Sequence, residues 1–194
     1  MRDQIERVAA MRRDLPAGPT VRDYEFLDGD KRVKLSELFA PGKNELLIYH
    51  LMYWPQDDEF CPMCSMWIDG LHGVSHHLTR RAAFVVIGKA PIGKLRSWAG
   101  RRGWDGLRIV SSYGTSFNPD LNVEGPKGGQ WPAVSVFVRD GDSVRHFFTE
   151  SAGYPDGAEG GMDQVSPVWN VFDLLPEGRG DWLPDNIYPG RARG

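Results

Sequence analysis

Cys61 and Cys64 are the two cysteines of the chain, and the residues between them are Pro62 and Met63. The thiolate form of cysteine acts as a nucleophile or as a metal ligand. A spacing of two residues lets two sulfur atoms approach to disulfide-bonding distance. In a reducing compartment, a C-x-x-C pair is typical of a redox dithiol or of half a metal site. The pair is therefore the strongest indication of chemistry in the sequence.

The cysteine pair has three interpretations, and the sequence favours the first. In a redox dithiol, Cys61 would attack a disulfide and Cys64 would resolve the mixed disulfide that forms. A metal site needs about four ligands, and the chain offers no second C-x-x-C and only five scattered histidines. The two cysteines could also be chemically inert.

The elements around the cysteines place them at the end of a strand and the start of a helix. Residues 45–53 form a nearly continuous apolar run, which is typical of a strand buried on both faces. The helix is predicted from Pro62 to about Arg80, because proline suits a first helical turn and apolar residues follow at helical spacing. A helix N-terminus lowers the pKa of a thiol. We therefore expect Cys61 to be an exposed attacking thiol and Cys64 to be buried.

The rest of the chain predicts a single α/β domain over residues 1–194, with a central mixed sheet flanked by helices and an N-terminal β-hairpin extension. Because strand–helix–strand units are right-handed crossovers, the central strands should be parallel. Asp-Gly turns predict hairpins at both ends of the sheet. The predicted segments are a helix and linker (1–18), hairpins (21–35 and 133–149), strands (82–88 and 107–110), helices (91–102 and 165–175), a long loop (111–132) and an irregular tail (176–194).

Composition excludes several classes of function. The net charge is −3 and the pI is near 5.9, which argues against a nucleic-acid-binding protein. No apolar run approaches the length of a membrane span. The first residues are charged and lack the apolar stretch of a secretory signal, so a cytoplasmic protein is expected.

The order of the elements resembles the thioredoxin superfamily, and the whole chain resembles a bacterial family, domain of unknown function 899. The resemblance covers roughly residues 20–180 and implies a thioredoxin-like fold, but no demonstrated reaction. The stretches that carry it are Tyr49-His50, Cys61-Pro62-Met63-Cys64-Ser65, Trp67, Asp69, Gly73, His77-Leu78, Val110-Ser111-Ser112, Gly114, Phe117-Asn118, Ser135-Val136-Phe137, Arg139-Asp140-Gly141 and Asp173-Leu174.

Trp131-Pro132, followed by a strand and an Asp-Gly turn, resembles the cis-proline segment of the thioredoxin fold. The resemblance implies that this peptide bond is cis and lies near Cys61, with the backbone of Trp131 available to an extended substrate. Trp131 and Pro132 are thus the expected substrate-binding residues, and Pro62 supports the cysteines. A trans bond, or a Pro132 on the far side of the sheet from Cys61, would remove the thioredoxin-like active site on which the predicted function rests.

Two departures limit what the resemblance implies. The pattern around the reactive cysteine of peroxiredoxins is P-x-x-x-T-x-x-C, whereas in this sequence Trp54 and Asp58 occupy the positions of its proline and threonine. A typical peroxiredoxin is therefore not expected. Thioredoxin resembles W-C-G-P-C, and Phe60 and Pro62-Met63 replace that pattern, so its reduction potential does not carry over.

The sequence thus predicts a thiol–disulfide oxidoreductase without a cofactor. Its substrate would be a disulfide-containing protein or a small thiol compound, and an external electron donor would reduce the dithiol. A non-catalytic thioredoxin-like binding module is the alternative, and a metal-binding protein is a weaker one. His50, in the buried strand, is expected to be a core residue. His77 lies about four helical turns from Cys61, too far to act as its base.

Overall fold

The computed structural model describes residues 2–151, 165, 167–178 and 180–187. Within these residues the strands are β1 (Thr20–Val21), β2 (Glu25–Asp28), β3 (Lys31–Lys34), β4 (Glu45–Leu51), β5 (Tyr53–Trp54), β6 (Glu59–Phe60), β7 (Ala83–Gly88), β8 (Arg108–Ser111), β9 (Ala133–Asp140) and β10 (Ser143–Ser151). The helices are α1 (Arg2–Arg13), α2 (Pro62–Arg81), α3 (Ile92–Arg102), α4 (Phe117–Asp120) and α5 (Pro167–Phe172), with a 3-10 turn at Leu35–Leu38.

One mixed sheet organises the domain, in the strand order β1-β10-β9-β4-β7-β8-β2-β3. The strands β4, β7 and β8 are parallel, and the helices α2 and α3 make the two crossovers between them. The strand β9 runs antiparallel to β4, and β10 runs antiparallel to β9. The predicted parallel centre and the predicted C-terminal hairpin are both confirmed.

The sheet is strongly curled. Its two edge regions are β1, which pairs with β10, and the β2–β3 hairpin, which pairs with β8. Only residues 22–24 connect β1 to β2, and a chain that short spans at most about 14 Å. The two edges must therefore approach each other, and the sheet closes partly on itself.

Each face of the sheet has its own hydrophobic core. The face covered by α2 and α3 holds both cysteines, together with Tyr49, Trp67 and Trp98. The concave face is filled by aromatic and aliphatic side chains, which include Tyr24, Phe26, Ile48, Phe117 and Phe137. Because side chains alternate along a strand, adjacent residues of β4 point into different cores. The cysteines therefore lie on only one side of the sheet.

Several predicted elements differ in detail. Val21 pairs with β10 at the far edge instead of extending the β2–β3 hairpin, because the curl brings that edge close. The predicted strand at residues 45–53 ends at Leu51, and Tyr53 begins a separate short strand. The helix predicted at residues 165–175 is shorter, at Pro167–Phe172. The described part of the predicted tail, residues 176–178 and 180–187, has no helix or strand.

None of the described helices combines the length and the hydropathy that a membrane-crossing helix needs.

Candidate functional site

Cys61 occupies the cap position of α2, directly after the short strand β6. Its backbone N–H donates to the carbonyl oxygen of Met52 at 3.3 Å. Its own carbonyl oxygen accepts two hydrogen bonds from Ser65, one from the backbone N–H and one from the hydroxyl, each at 3.0 Å. Pro62 is the first residue of the helix, as predicted, where no N–H is needed. The backbone of Cys61 is therefore fixed on both sides.

Cys64 lies one turn into α2 and is completely buried. Its thiol interacts with that of Cys61, and no disulfide joins them. Burial, followed by the neighbouring Cys61 thiol, raises the pKa of Cys64 well above its usual value. The neighbouring hydroxyl of Tyr49 and the backbone of Met52 act in the opposite direction and lower the pKa of Cys64, because nearby donors favour the thiolate. Two adjacent thiols of unequal environment are what a dithiol redox pair requires.

The burial of the two cysteines follows the predicted order, but Cys61 is much less open than expected. Cys61 is 7% exposed and Cys64 is 0% exposed. The preceding residue, Phe60, packs against the ring of Tyr53 at 4.9 Å and against that of Trp98 at 5.3 Å. The C-terminal segment also reaches this point, since Nδ2 of Asn186 donates to the carbonyl oxygen of Phe60 at 2.9 Å. The expectation of an exposed Cys61 is therefore wrong.

Trp98 on α3 connects that helix to the start of α2. Its indole Nε1–H donates to Oγ of Ser65 at 3.2 Å, and the same hydroxyl donates to the carbonyl oxygen of Cys61. The Trp98 ring also stacks on Phe60, with the two planes inclined by 23°. Trp98 thus contacts both Phe60, which precedes Cys61, and Ser65, which bonds to the carbonyl oxygen of Cys61.

The segment directly before the cysteines forms a small hairpin of β5 and β6. At its turn, Asp58 has a positive φ of 54° and accepts a hydrogen bond from the Tyr53 hydroxyl at 2.6 Å. Lys94 pairs with the same carboxylate. Hydrogen bonds from Lys94 and Tyr53 lower the pKa of Asp58, so this carboxylate stays ionised and accepts hydrogen bonds but donates none. Asp58 therefore does not replace the hydroxyl donor of the peroxiredoxin pattern.

The Trp131–Pro132 peptide bond is trans, so the prediction of a cis bond is wrong. A turn in the chain lies before this bond, at residues 125–129, where the N–H of Gly125 donates to the carbonyl oxygen of Gly129 at 2.8 Å. The backbone N–H of Trp131 is also not available to pair with an extended substrate, contrary to expectation. That N–H donates to the carbonyl oxygen of Val123 at 2.9 Å, so it is already occupied.

Trp131 and Pro132 nevertheless lie at the same end of the sheet as the cysteines. The strand β9 begins at Ala133, which is paired with His50 near the carboxyl end of β4. The side chain of Gln130 binds the backbone of Tyr53 through two hydrogen bonds. The indole of Trp131 is 51% exposed there. The segment thus offers a side-chain surface near the site instead of a free backbone edge.

The histidines lie apart from the cysteine pair. His50 is buried, and it belongs to the other face, where its ring stacks on Phe117 at 5.7 Å. His77 is exposed toward the far end of α2. Among the described residues, no group of three His, Cys, Asp or Glu side chains is arranged to hold a metal ion.

Sequence reasoning missed several residues that shape the site. They are Tyr49, Met52, Ser65, Trp98 and Gln130. Tyr49 lies in the predicted apolar strand, Ser65 follows Cys64 in the family resemblance, and Trp98 falls in the helix predicted at residues 91–102, but none of them was expected to shape the site. The sequence does contain a signal for Tyr49 and Trp98, because each has a polar atom at a position that the apolar pattern predicts to be buried. Buried tyrosine and tryptophan usually need a hydrogen-bond partner for that atom.

Solved structures with a similar fold are peroxiredoxins. The peroxidoxin BcpB from Mycobacterium tuberculosis has a TM-score of 0.56 and 18% identity, covering 81% of this chain and 97% of that one. The reduced 2-Cys peroxiredoxin from Plasmodium vivax has a TM-score of 0.53 and 16% identity, covering 81% of this chain and 96% of that one. A peroxiredoxin-like protein from Aquifex aeolicus has a TM-score of 0.52 and 14% identity, covering 83% of this chain and 88% of that one.

These similarities show a thioredoxin-like fold of the peroxiredoxin type, as the resemblance implied. No curated protein matches the chain. The model of a family described as bacterial protein of unknown function, DUF899, matches residues 1–189. Since that match spans nearly the whole sequence, the chain belongs to the DUF899 family.

Proposed function

We propose that this protein is a thiol–disulfide oxidoreductase in which Cys61 attacks a disulfide and Cys64 resolves the product. The observation that carries the proposal is the unequal pair of adjacent thiols at the start of α2. Cys61 is at the cap and Cys64 is fully buried behind it. The thioredoxin-like fold supports the proposal, because ligands of open α/β sheets bind outside the carboxyl ends of the strands.

The proposed reaction has two displacements. The Cys61 thiolate attacks one sulfur of a disulfide R–S–S–R′, forms the bond Cys61–S–S–R and releases R′–S⁻, which takes up a proton. Cys64 then loses its proton and attacks Sγ of Cys61, which forms the Cys61–Cys64 disulfide and releases R–S⁻. The substrate is reduced by two electrons and the dithiol is oxidised by two. An external dithiol donor returns the pair to the reduced form.

The surroundings of Cys61 favour a small disulfide over a broad protein surface or an extended peptide. The exposed fraction of Cys61 is only 7%, so a bulky group cannot approach its sulfur directly. The occupied amide of Trp131 removes one backbone donor that an extended peptide would use. We therefore assign substrate contacts to the exposed indole of Trp131 and to the Pro132 ring beside it.

A redox titration tests the proposal. The protein is equilibrated in dithiothreitol buffers of graded potential, and its thiols are then alkylated and counted by mass spectrometry. We expect Cys61 and Cys64 to lose reactivity together at one midpoint, with two electrons transferred. The Cys64→Ser variant should accumulate a mixed disulfide on Cys61 when it is given a small disulfide. The Cys61→Ser variant should accumulate none, because its remaining thiol is fully buried.

Other outcomes would identify the alternatives. If both thiols stay reduced at every potential and react with no disulfide, the redox function is refuted and the binding-module alternative gains support. If the purified protein holds about one zinc ion per chain that is lost in Cys64→Ser, the pair is half of a metal site.

A further inference from the structure

The hydroxyl of Tyr49 is a buried polar group without an ordinary hydrogen bond. Tyr49 is 0% exposed, and within the described part of the chain its hydroxyl has no hydrogen-bond partner. Buried polar groups in folded proteins are nearly always satisfied, so an exception calls for an explanation such as a catalytic role. Replacing this tyrosine with phenylalanine would fill the same space at no polar cost. The hydroxyl is therefore retained at a position where folding does not require it.

The surroundings of Tyr49 direct this hydroxyl toward the cysteine pair. Tyr49 lies on β4 between Val86 of β7 and Val134 of β9, at the centre of the sheet. Its ring meets the ring of Trp67 edge-on, with centroids 6.4 Å apart. Trp67 lies one turn after Cys64, on the same face of α2. Tyr49, Trp67 and both cysteines lie in the same buried core, and the Cys64 and Cys61 thiols beside the hydroxyl help to raise the pKa of Tyr49.

The geometry points to a catalytic role: we propose that the Tyr49 hydroxyl donates a hydrogen bond to the Cys64 sulfur when Cys64 becomes a thiolate and attacks Sγ of Cys61. This inference rests on the proposed function, since it concerns the second displacement of that reaction. It assigns to Tyr49 an interaction that is weak in the resting thiol and strong in the anion. An interaction that strengthens along the reaction accelerates the chemical step.

The chemistry of a buried thiolate creates the need for such a donor. Cys64 must lose its proton inside an apolar core, where an isolated negative charge is unfavourable. Two donors are available to that sulfur, the hydroxyl of Tyr49 and the backbone of Met52. Burial, with the Cys64 thiol beside it, raises the pKa of Tyr49 well above its usual value, so the hydroxyl keeps its own proton.

The proton balance of the step leaves Tyr49 unchanged. The Cys64 proton goes to the thiolate that the first displacement released, and the electron pair of the Cys61–S–S–R bond leaves with R–S⁻. Tyr49 donates a hydrogen bond to the negative charge on the Cys64 sulfur, which forms when Cys64 loses its proton and is lost when the disulfide forms. Tyr49 itself transfers no proton. Once the Cys61–Cys64 disulfide has formed, the sulfur is neutral and the hydrogen bond weakens again.

The neutral aromatic disulfide dithiodipyridine separates the two displacements. Attack by Cys61 releases a first equivalent of chromophore, and attack by Cys64 releases a second. In Tyr49→Phe, we expect the first phase to keep its rate and the second to slow by about tenfold, as for the loss of a hydrogen bond to a charged group. The pH profile of the second phase should also move to higher pH. Tyr24→Phe is the matched control, since its hydroxyl bonds to Asp120 on the concave side.

Each outcome decides between the inference and its alternatives. An unchanged second phase in Tyr49→Phe refutes the role of Tyr49 while leaving the dithiol reaction intact. Equal slowing of both phases shows a displaced helix, which also refutes it. If the native protein releases no chromophore, the proposed function fails and this inference fails with it. A second measurement, the Cβ chemical shift of Cys64 against pH in a Cys61→Ser background, must show a higher pKa after Tyr49→Phe.

Discussion

The side-chain amide of Gln130 makes both of its hydrogen bonds to the backbone of Tyr53. The N–H of Tyr53 donates to Oε1 of Gln130 at 3.2 Å, and Nε2 of Gln130 donates to the carbonyl oxygen of Tyr53 at 3.0 Å. The glutamine side chain thus pairs with β5 as a neighbouring strand would. It ties the Trp131–Pro132 segment to the hairpin that leads into Cys61.

Removal of this pairing should destabilise the protein measurably. Gln130→Leu leaves a buried N–H and a buried carbonyl oxygen of Tyr53 without partners, at a cost of about 1–3 kcal/mol. The free energy of unfolding, measured by urea denaturation, checks this value. Gln56→Leu is the control, because Gln56 is exposed and bonds only to the adjacent Asp57. Equal stabilities of the two variants would contradict the prediction.

The hydrogen bond between Trp98 and Ser65 should appear as a coupling in a double-mutant cycle. Trp98→Phe removes the indole N–H but retains an aromatic ring against Phe60, and Ser65→Ala removes the hydroxyl. We expect the two changes to be non-additive in unfolding free energy by roughly 0.5–3 kcal/mol, because they break one shared interaction. Strict additivity of the two losses would show that this hydrogen bond does not contribute to the stability of the folded protein and would contradict the prediction.

The elements that position the cysteines could be predicted because their signals are local. The apolar run of β4 and the helical spacing of α2 depend on residues near one another in sequence, and each was found within a few residues. The Asp-Gly turns likewise encode their hairpins, since Gly29 and Gly141 have positive φ values of 64° and 59°. Local periodicity thus defined the fold class.

The features that sequence reasoning missed depend on contacts between distant segments. Gln130 and Tyr53 are far apart in the chain, and no local pattern indicates that a glutamine will replace a strand. The carbonyl oxygen of Phe60, the residue before Cys61, accepts a hydrogen bond from Asn186, more than a hundred residues away. The bond before Pro132 is trans, and the hydrogen bond that closes the turn at residues 125–129 joins residues that no local pattern pairs.

The ion pair between Arg102 and Asp69 should contribute more to stability than an exposed pair does. The distance between Nη2 of Arg102 and Oδ2 of Asp69 is 2.7 Å, and the Arg102 side chain is 3% exposed. Asp69→Asn removes the carboxylate charge that pairs with this guanidinium and that also accepts a hydrogen bond from Nε1 of Trp104, so we expect a loss of about 3 kcal/mol. Glu45→Gln removes the carboxylate of an exposed pair with Arg81 and should cost under about 1 kcal/mol. Thermal and urea unfolding of both variants measure the difference.

The buried His50 predicts a specific loss of stability in acid. Its Nε2 lies 2.8 Å from Oγ of Ser135, and a chain of hydrogen bonds continues through Thr149 to His146. Burial, with a smaller contribution from His146, lowers the pKa of His50 from 6.5 to about 3. The folded protein therefore holds this imidazole neutral over a pH range in which the unfolded chain protonates it.

The sign of the effect follows from proton binding. Between pH 6.5 and about 3 the unfolded state binds the extra proton, so stability is greatest above pH 6.5 and decreases as the pH falls. The largest slope from this one group is about 1.4 kcal/mol per pH unit. In His50→Gln, which retains a polar partner for Ser135, the slope between pH 6.5 and about 5 should be smaller by nearly that amount. In the exposed His77→Gln variant it should match the native slope. A native-like slope in His50→Gln would show that His50 is not the group responsible.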